Sequence, residues 1–171
     1  MKHSGRNIKQ RLYGLTLIGN RLSRIRHFRG HGVHSPFVYS LVRKVFMRKT
    51  LIDPEQDSLY NALVELQISP KRAIELQNIA TLLEYHSFSI VSDQGDADFN
   101  IITTSEVIDI RTAFECAKSS GTTLVVLTPY LNKERREICR ELIESHNSTS
   151  VDNRGYLIFF NNHLPKQHYR L

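Results

Sequence analysis

The chain has 171 residues, of which 40% are hydrophobic and 23% are charged, a balance typical of a globular domain with its own core. The longest apolar runs, 123–127 and 156–160, are far shorter than the ~20 residues that a membrane-spanning helix needs. We therefore expect no transmembrane segment. Polar residues interrupt the apolar positions near the N-terminus, so we also expect no signal peptide and a cytoplasmic location.

The formal charge of +6 is distributed unevenly along the chain. Residues 1–50 contain 12 Lys and Arg residues and no Asp or Glu, whereas the remainder contains 11 basic and 17 acidic residues. The two parts therefore carry +12 and −6. This asymmetry predicts that the N-terminal part either binds an acidic partner or lies on the acidic remainder of its own chain.

A basic amphipathic helix is predicted over residues 7–28, because its apolar residues recur at spacings of three and four. Gly14 and Gly19 each cost about 1 kcal/mol in a helix interior, so this helix needs a surface that covers its apolar stripe. We expect a basic helical arm over 1–52 and an α/β domain over 53–171. The candidate binding residues of the arm are Arg21, Arg24, Arg26, His27, Arg29, His31 and His34.

The arm has three possible partners. Its cations could follow a nucleic-acid backbone, or they could lie on an anionic membrane surface. Alternatively, the apolar stripe could bury against another protein, against a second copy in a homodimer or against the chain's own domain. Nucleic acid, an anionic membrane surface and a protein surface are therefore all candidate partners of the arm.

Metal binding is not expected. His27, His31 and His34 would share one face of a continuous helix, but the intervening glycines and Pro36 indicate a polar loop instead. The two cysteines, Cys116 and Cys139, lie in predicted helices without a metal-ligand spacing, which predicts reduced core thiols.

Two start signals predict further helices before the first strand. Ser35 followed by Pro36 combines a preferred N-cap with a residue suited to the first helical turn. Asp53 and Pro54 repeat that signal for a third helix. The apolar faces predicted for these two helices are Phe37, Val38, Leu41, Val42 and Val45, and then Leu59, Leu63 and Leu66.

From residue 71 onward the pattern alternates between strands and helices, which predicts an α/β fold. Gly121 is expected to end one of these helices as a left-handed C-cap. The predicted elements are a strand over 72–76, a helix over 79–86, strands over 87–91 and 99–104, a helix over 106–119, a strand over 122–128, a helix over 132–146 and a hairpin over 150–160.

Two motifs resemble a family of bacterial class I S-adenosylmethionine-dependent methyltransferases. The N-terminal signature His-Gly-Val-His-Ser-Pro-Phe stands at residues 31–37, and the family's Pro-Lys-x-His-aromatic tail stands at 165–169. The resemblance spans residues 24–171. It implies a reduced Rossmann-like, methyltransferase-type mixed sheet flanked by helices, with an N-terminal helical arm.

The resemblance also identifies what this chain lacks. In that family a glycine-rich turn after the first strand holds the methionine part of the cofactor, since only glycine allows such close backbone approach. Here residues 72–76 fit that strand, but Gln77 and Asn78 follow without any glycine. If cofactor binding is retained, the candidate residues are Glu75, Gln77, Asn78 and Asp93.

Two further departures concern the adenosine and the catalytic edge. The segment from Arg72 to Asp98 has only 27 residues, too few for the missing strand and helix units, and the short 92–97 connection predicts antiparallel strands. Where the family's next two strands end in acidic residues, this chain has Thr103-Thr104 and Thr128-Pro129.

The sequence therefore predicts a degenerate methyltransferase-like protein, a pseudoenzyme that acts as a binding or partner-regulating module. No catalytic residue is assigned, and no bound cofactor is expected. The alternative is an active methyltransferase whose S-adenosylmethionine site is altered or completed by a partner. A second alternative is a nucleic-acid or membrane-surface binder that uses the basic arm.

Overall fold

The computed structural model describes residues 34–90, 97–104 and 109–171. The helix predicted over 7–28 lies outside these residues, as does most of the candidate binding arm. The described part is an α/β structure with a six-stranded mixed sheet. The predicted sheet flanked by helices is therefore confirmed at this level.

The helices are, in chain order, α1 Pro36–Leu41, a π-helical segment Val42–Phe46, α2 Ser58–Glu65, α3 Pro70–Leu82, α4 Ile110–Ser120 and α5 Lys133–Ser145. The strands are β1 Phe88–Ile90, β2 Phe99–Ile102, β3 Thr123–Leu127, β4 Thr149–Asp152, β5 Tyr156–Phe159 and β6 Gln167–Arg170.

The sheet has the strand order β1-β2-β3-β5-β4-β6. Strands β1, β2 and β3 are parallel neighbours, and β5 is inserted antiparallel between β3 and β4. The last strand, β6, pairs in parallel with β4. Consequently β2, β3, β4 and β6 all run in the same direction, and their carboxyl ends lie at one edge of the sheet.

Helices cover both faces of this sheet, because alternate residues of a strand point to opposite sides. On one face Val125 and Leu127 of β3 pack with residues of α1, the π-helical segment, α2 and α3. On the other face Leu124 and Val126 pack with α4 and α5. Residues 36–46 thus belong to the same core as the sheet.

The Ser35 start signal is confirmed, and the Asp53 signal is not. The Ser35 hydroxyl accepts a hydrogen bond from the Val38 amide at 3.4 Å, and Pro36 opens α1. Asp53 forms a turn instead, because its carbonyl accepts from the Gln56 amide at 3.3 Å and its carboxylate from the Glu55 amide at 3.0 Å. The helix begins only at Ser58.

The strand predicted over 72–76 is wrong, since these residues lie inside α3. Ser69 and Pro70 start this helix, and its inward residues fall at helical rather than alternating spacing. These buried residues include Ala73, Leu76, Ile79 and Ala80. The predicted helix over 79–86 is the end of the same helix, which stops at Leu82.

The end of α3 has a local cause. Glu84 adopts the left-handed conformation with φ +56°, and the Tyr85 amide reaches back to the Ala80 carbonyl at 2.9 Å. This is the hydrogen-bond pattern of a Schellman helix end. The chain then turns into β1, so the sheet begins after α3 instead of before it.

The antiparallel arrangement predicted for the next two strands is also wrong. Strands β1 and β2 are parallel, with Phe88 opposite Phe99 and Ile90 opposite Ile101. The prediction required a long crossover between parallel strands. However, β1 has only three residues, so a parallel β2 requires a return of only about 10 Å, a distance within the reach of an eight-residue connection.

The remaining elements agree with the sequence patterns. Gly121 ends α4 with φ +71°, all five residues of β3 are buried, and β4 and β5 form the predicted hairpin. Cys139 is a buried core thiol as predicted, whereas Cys116 is only half-buried and does not belong to the core, and both thiols are free. The tail motif adds a strand that the sequence patterns did not predict, because Gln167–Arg170 forms β6 at the sheet edge.

Candidate functional site

The carboxyl edge of the sheet is the position at which this type of fold binds ligands. In α/β proteins, ligands bind in the crevice outside the carboxyl ends of the strands. Here β2 ends before Thr103, β3 before Thr128 and β4 at Asp152, and β5 starts at the same edge with Tyr156. The threonines singled out at the strand ends are therefore brought to one edge, as their positions after β2 and β3 require.

A buried arginine closes the ends of β2 and β3. Arg135 Nη2 donates to the carbonyl oxygen of Thr103 at 2.8 Å and to that of Leu127 at 2.9 Å. The side chain is only 9% exposed, and its burial lowers the pKa of the guanidinium. No carboxylate in the described ranges forms an ion pair with Arg135. Its two hydrogen bonds instead join the end of β2 to the end of β3.

The first turn of α5 positions this arginine. The Asn132 side chain caps the helix by accepting a hydrogen bond from the Arg135 amide at 2.7 Å. Arg135, Cys139 and Leu142 are the buried residues of α5 and follow one another at spacings of four and three. Arg135 was not among the predicted site residues. An arginine on the apolar stripe of a helix could have indicated a buried polar contact.

Thr128, the first residue after β3, has a strained backbone. Its φ is +47°, a left-handed conformation that β-branched residues rarely adopt. The Thr128 amide donates to the Gly155 carbonyl at 2.8 Å, while its buried hydroxyl has no hydrogen-bond partner within the described ranges. Strain of this kind costs about 1–3 kcal/mol and is frequent at functional sites.

A second polar cluster occupies the same edge on the opposite face. Glu75 Oε2 accepts from the Tyr156 hydroxyl at 2.8 Å and from Asn153 Nδ2 at 3.2 Å, and Lys71 Nζ lies 3.7 Å from Oε1. Burial is the main cause that raises the pKa of Glu75, outweighing these hydrogen bonds. Burial likewise raises the pKa of Tyr156 well above its ordinary value. A carboxyl of this type can hold a proton at a strand edge.

The other two cofactor candidates on α3 are bonded within the protein. Asn78 is fully buried, accepts from the Ile52 amide at 2.7 Å and donates to the Thr50 carbonyl at 2.9 Å. Gln77 accepts from the Tyr60 amide at 3.1 Å and donates to Thr81 at 3.3 Å. Because both lie inside α3, they do not follow a strand as the glycine-loop comparison assumed.

The acidic loop is only partly described, and Asp93 lies outside the described residues. Asp98 joins the start of β1 to that of β2, because its carboxylate accepts from the amides of His86 and Ser87 at 2.9 and 3.0 Å. The His86 amide is the main cause that lowers the pKa of Asp98. In the ranges 34–90, 97–104 and 109–171, no group of three or more His, Cys, Asp or Glu side chains could hold a metal ion.

Of the seven candidate binding residues of the arm, only His34 is described, and it is exposed. The structure does show the basic surface that follows the signature motif. Its members are Arg43, Lys44, Arg48 and Lys49, and all four are exposed. Three of them, Arg43, Lys44 and Arg48, line a groove of about 640 Å³ together with Met47, Ile52 and Leu82, hereafter the basic groove.

Another groove lies beside β1. It has a volume of about 390 Å³ and lies between the turn before α2 and the residues that lead into β1. Its lining includes Glu55, Asp57, Tyr85, His86 and Phe88, among other residues. Gln77 also borders it, but both Gln77 side-chain hydrogen bonds go to protein atoms.

Comparisons with protein-family models, curated proteins and solved structures find no match to this chain. The described helices include none that is long and apolar enough to cross a membrane.

Proposed function

We propose that this protein is a methyltransferase-like α/β domain that is catalytically silent and acts as a binding or partner-regulating module. The observation that carries the proposal is Arg135, whose guanidinium bonds to the carbonyl oxygens at the ends of β2 and β3. These bonds lie at the carboxyl edge of the sheet, where α/β proteins bind their ligands. Arg135 therefore stabilises the fold at the edge of the sheet where an α/β enzyme has its reacting groups.

The chemistry of the strand ends supports the same proposal. The resemblance implies acidic residues after the two strands, whereas Thr103 and Thr128 stand here. A threonine cannot serve as a carboxylate base or bind a cation in the same way. The buried carboxylate nearby, Glu75, already accepts hydrogen bonds from Tyr156 and Asn153.

The motifs that carry the resemblance have structural roles in the described residues. Ser35 and Pro36 of the signature start α1, and the Phe37 ring meets the Phe160 ring edge-on with centroids 5.0 Å apart. The tail motif forms β6 after the final hairpin, as the family's tail follows its own hairpin. Both motifs therefore support a retained scaffold without requiring retained chemistry.

The alternative is an active S-adenosylmethionine-dependent methyltransferase with a site completed by a partner chain. One observation favours it: Glu75 is a buried carboxyl with a raised pKa at the carboxyl edge, close to Tyr156. On this alternative Glu75 would contact the cofactor or a reacting group, and Glu75→Gln would abolish cofactor binding.

Calorimetric titration of the full chain with S-adenosylmethionine separates these proposals. The silent module is expected to bind no more tightly than a dissociation constant of about 0.1 mM, which corresponds to roughly −5.5 kcal/mol. Tighter binding that is lost in Glu75→Gln and retained in the exposed control Glu65→Gln would contradict the proposal and favour the enzyme.

A second alternative is binding of nucleic acid or an anionic membrane surface through Arg21, Arg24, Arg26 and Arg29. The exposed cations at residues 43–49 favour it, because they extend the basic character of the arm into the described residues. Retention of the full chain on heparin over a salt series tests it. Arg24→Gln with Arg26→Gln should then shift elution to lower salt, and an unchanged elution would contradict this alternative.

A further inference from the structure

The basic groove combines two kinds of lining. Met47, Ile52 and Leu82 supply apolar surface, and Met47 is 43% exposed. Arg43, Lys44 and Arg48 supply positive charge beside it. A groove of about 640 Å³ is large enough for several apolar side chains, since ligand pockets range over ~300–1,000 Å³.

The cations of this groove are not used by the described residues. Elsewhere exposed basic residues pair with acidic ones, as Arg111 does with Glu141 at 2.6 Å and Arg140 with Glu137 at 2.8 Å. None of the described carboxylates pairs with Arg43, Lys44 or Arg48. Arg43 Nη1 does make a weak hydrogen bond to the Met47 sulfur, at 3.9 Å.

The groove is also held in shape from beneath. Fully buried Asn78 bonds to the backbone of Thr50 and Ile52 and so fixes the chain that forms one wall. Arg43 and Lys44 of the lining belong to the π-helical segment, where the Met47 amide reaches back five residues to the Val42 carbonyl at 3.1 Å. Single π-helical turns occur frequently at functional sites. A preformed groove loses less entropy when a partner binds.

We propose that the basic groove binds an acidic amphipathic helix of a partner protein. Such a helix would place its apolar residues against Met47, Ile52 and Leu82, while its flanking Glu or Asp side chains pair with Arg43, Lys44 and Arg48. Exposed methionine suits this role, because its flexible thioether adapts to differently shaped side chains. The inference rests on the proposed binding function and names its partner by chemistry.

Other occupants fit less well. Among the described residues no aromatic side chain lines the groove, so they offer no stacking platform for the bases of single-stranded nucleic acid. The chain's own N-terminal arm matches the groove poorly in charge, because residues 1–33 contain eight Lys and Arg residues and no Asp or Glu. An anionic membrane would satisfy the cations but would present a broad surface instead of a single apolar ridge.

The test uses the full chain and a fluorescein-labelled synthetic peptide of about 18 residues, with one leucine face flanked by glutamates. Fluorescence anisotropy should show saturable binding to the wild type. Arg43→Glu with Arg48→Glu is expected to weaken binding at least tenfold, equivalent to about 1.4 kcal/mol. Met47→Ser, which changes the apolar lining alone, should weaken it about threefold or more.

A matched control removes the same net charge elsewhere. Lys133→Glu with Arg170→Glu changes two exposed cations outside the groove and should alter the affinity less than about twofold. Equal weakening in this control would overturn the proposal, because it would attribute binding to overall charge. Equal binding of a scrambled acidic peptide, or of a leucine-faced peptide flanked by lysines, would overturn it as well.

Two further probes decide the class of partner. Duplex DNA of about 20 base pairs and vesicles of phosphatidylglycerol are titrated in the same buffer. Tighter binding of either probe than of the peptide, with loss in Arg43→Glu/Arg48→Glu, would replace the proposed helix with that partner. Failure of the acidic peptide to bind would not contradict the silent-module proposal. That proposal is tested separately, by titration with S-adenosylmethionine.

Discussion

Arginine side chains have opposite roles at the carboxyl edge and in the basic groove. Arg135 is almost fully buried and bonds to two backbone carbonyls, whereas Arg43 and Arg48 are exposed and pair with no described carboxylate. Burying a cation without a counter-ion costs free energy, and hydrogen bonds to its donors offset part of that cost. In Arg135 these hydrogen bonds also join the ends of β2 and β3. Exposed cations carry no such cost and remain available to a partner.

This comparison assigns structure to one region and binding to the other. The carboxyl edge is where the fold alone would place a ligand, yet its polar groups are largely directed at the protein. The groove lies between the π-helical segment, the chain at Ile52 and the end of α3, where the fold gives no reason to expect a site. Four variants test this division.

The largest expected effect is that of Arg135→Met. It removes the bonds to Thr103 and Leu127 and leaves two carbonyl oxygens without their donor, so we expect a loss of roughly 2–4 kcal/mol in the free energy of unfolding. Urea unfolding measures it. The neighbouring Arg136→Met is the control and should change stability by less than about 0.5 kcal/mol. A nearly unchanged free energy of unfolding in Arg135→Met would contradict the structural role assigned to this arginine.

Asn78→Ala should cost somewhat less, about 1–3 kcal/mol, because it leaves the Ile52 amide and the Thr50 carbonyl without their buried partner. The same variant loosens one wall of the basic groove. We therefore expect weaker binding of the acidic peptide as well as lower stability. Undiminished peptide affinity would show that the wall does not shape the groove.

Glu75→Gln tests the second polar cluster through its pH dependence. The folded-state pKa of Glu75 is raised above the ordinary value of 4.5, so the unfolded chain releases this proton at lower pH. The stabilisation is complete below that ordinary pKa and is lost as pH rises through the raised one. The wild type should therefore lose stability relative to Glu75→Gln as pH rises from about 4.5 toward neutrality.

Urea unfolding of both proteins across that pH range gives the difference directly. Glu65→Gln, at an exposed position on α2, serves as the control for losing one carboxylate. A stability difference that stays constant, or that moves in favour of the wild type at higher pH, would contradict the burial of Glu75.

The smallest expected effect is that of Arg43→Glu with Arg48→Glu on stability. These side chains are exposed and make no ion pair with a described residue, so the free energy of unfolding should change by less than about 0.5 kcal/mol. Urea unfolding beside Lys133→Glu/Arg170→Glu checks this. A loss as large as that of Arg135→Met would show that the groove cations also serve the fold.

Local sequence patterns predicted much of the later half of the chain. Gly121, the apolar run that becomes β3 and the turn before Tyr156 each have a strong short-range signal. The strand assigned to 72–76 failed because short apolar runs fit both periods. The deciding signal was Ser69-Pro70, the same pair that correctly identified α1 at Ser35-Pro36.

The candidate site was less predictable, because it depends on contacts between distant parts of the chain. Tyr156 and Glu75 are 81 positions apart, and no local pattern joins them. Arg135 could have been noticed from its place in line with Cys139 and Leu142, but its bond to Thr103 requires the parallel pairing of β2 and β3. The exposed cations at residues 43–49 were visible as a charge run, whereas the groove also needs Leu82, which lies at least 33 positions further along the chain.

One measurement tests the division between the two regions most directly. Amide chemical shifts of the isotope-labelled full chain are followed by NMR while the acidic peptide, and then S-adenosylmethionine, is added. The account predicts peptide-dependent shifts at residues 42–52 and near Leu82, and no saturable shifts at 103–104 or 127–135 with either ligand. Saturable shifts at Thr103, Thr128 and Arg135 on addition of S-adenosylmethionine, with an unchanged basic groove, would contradict it.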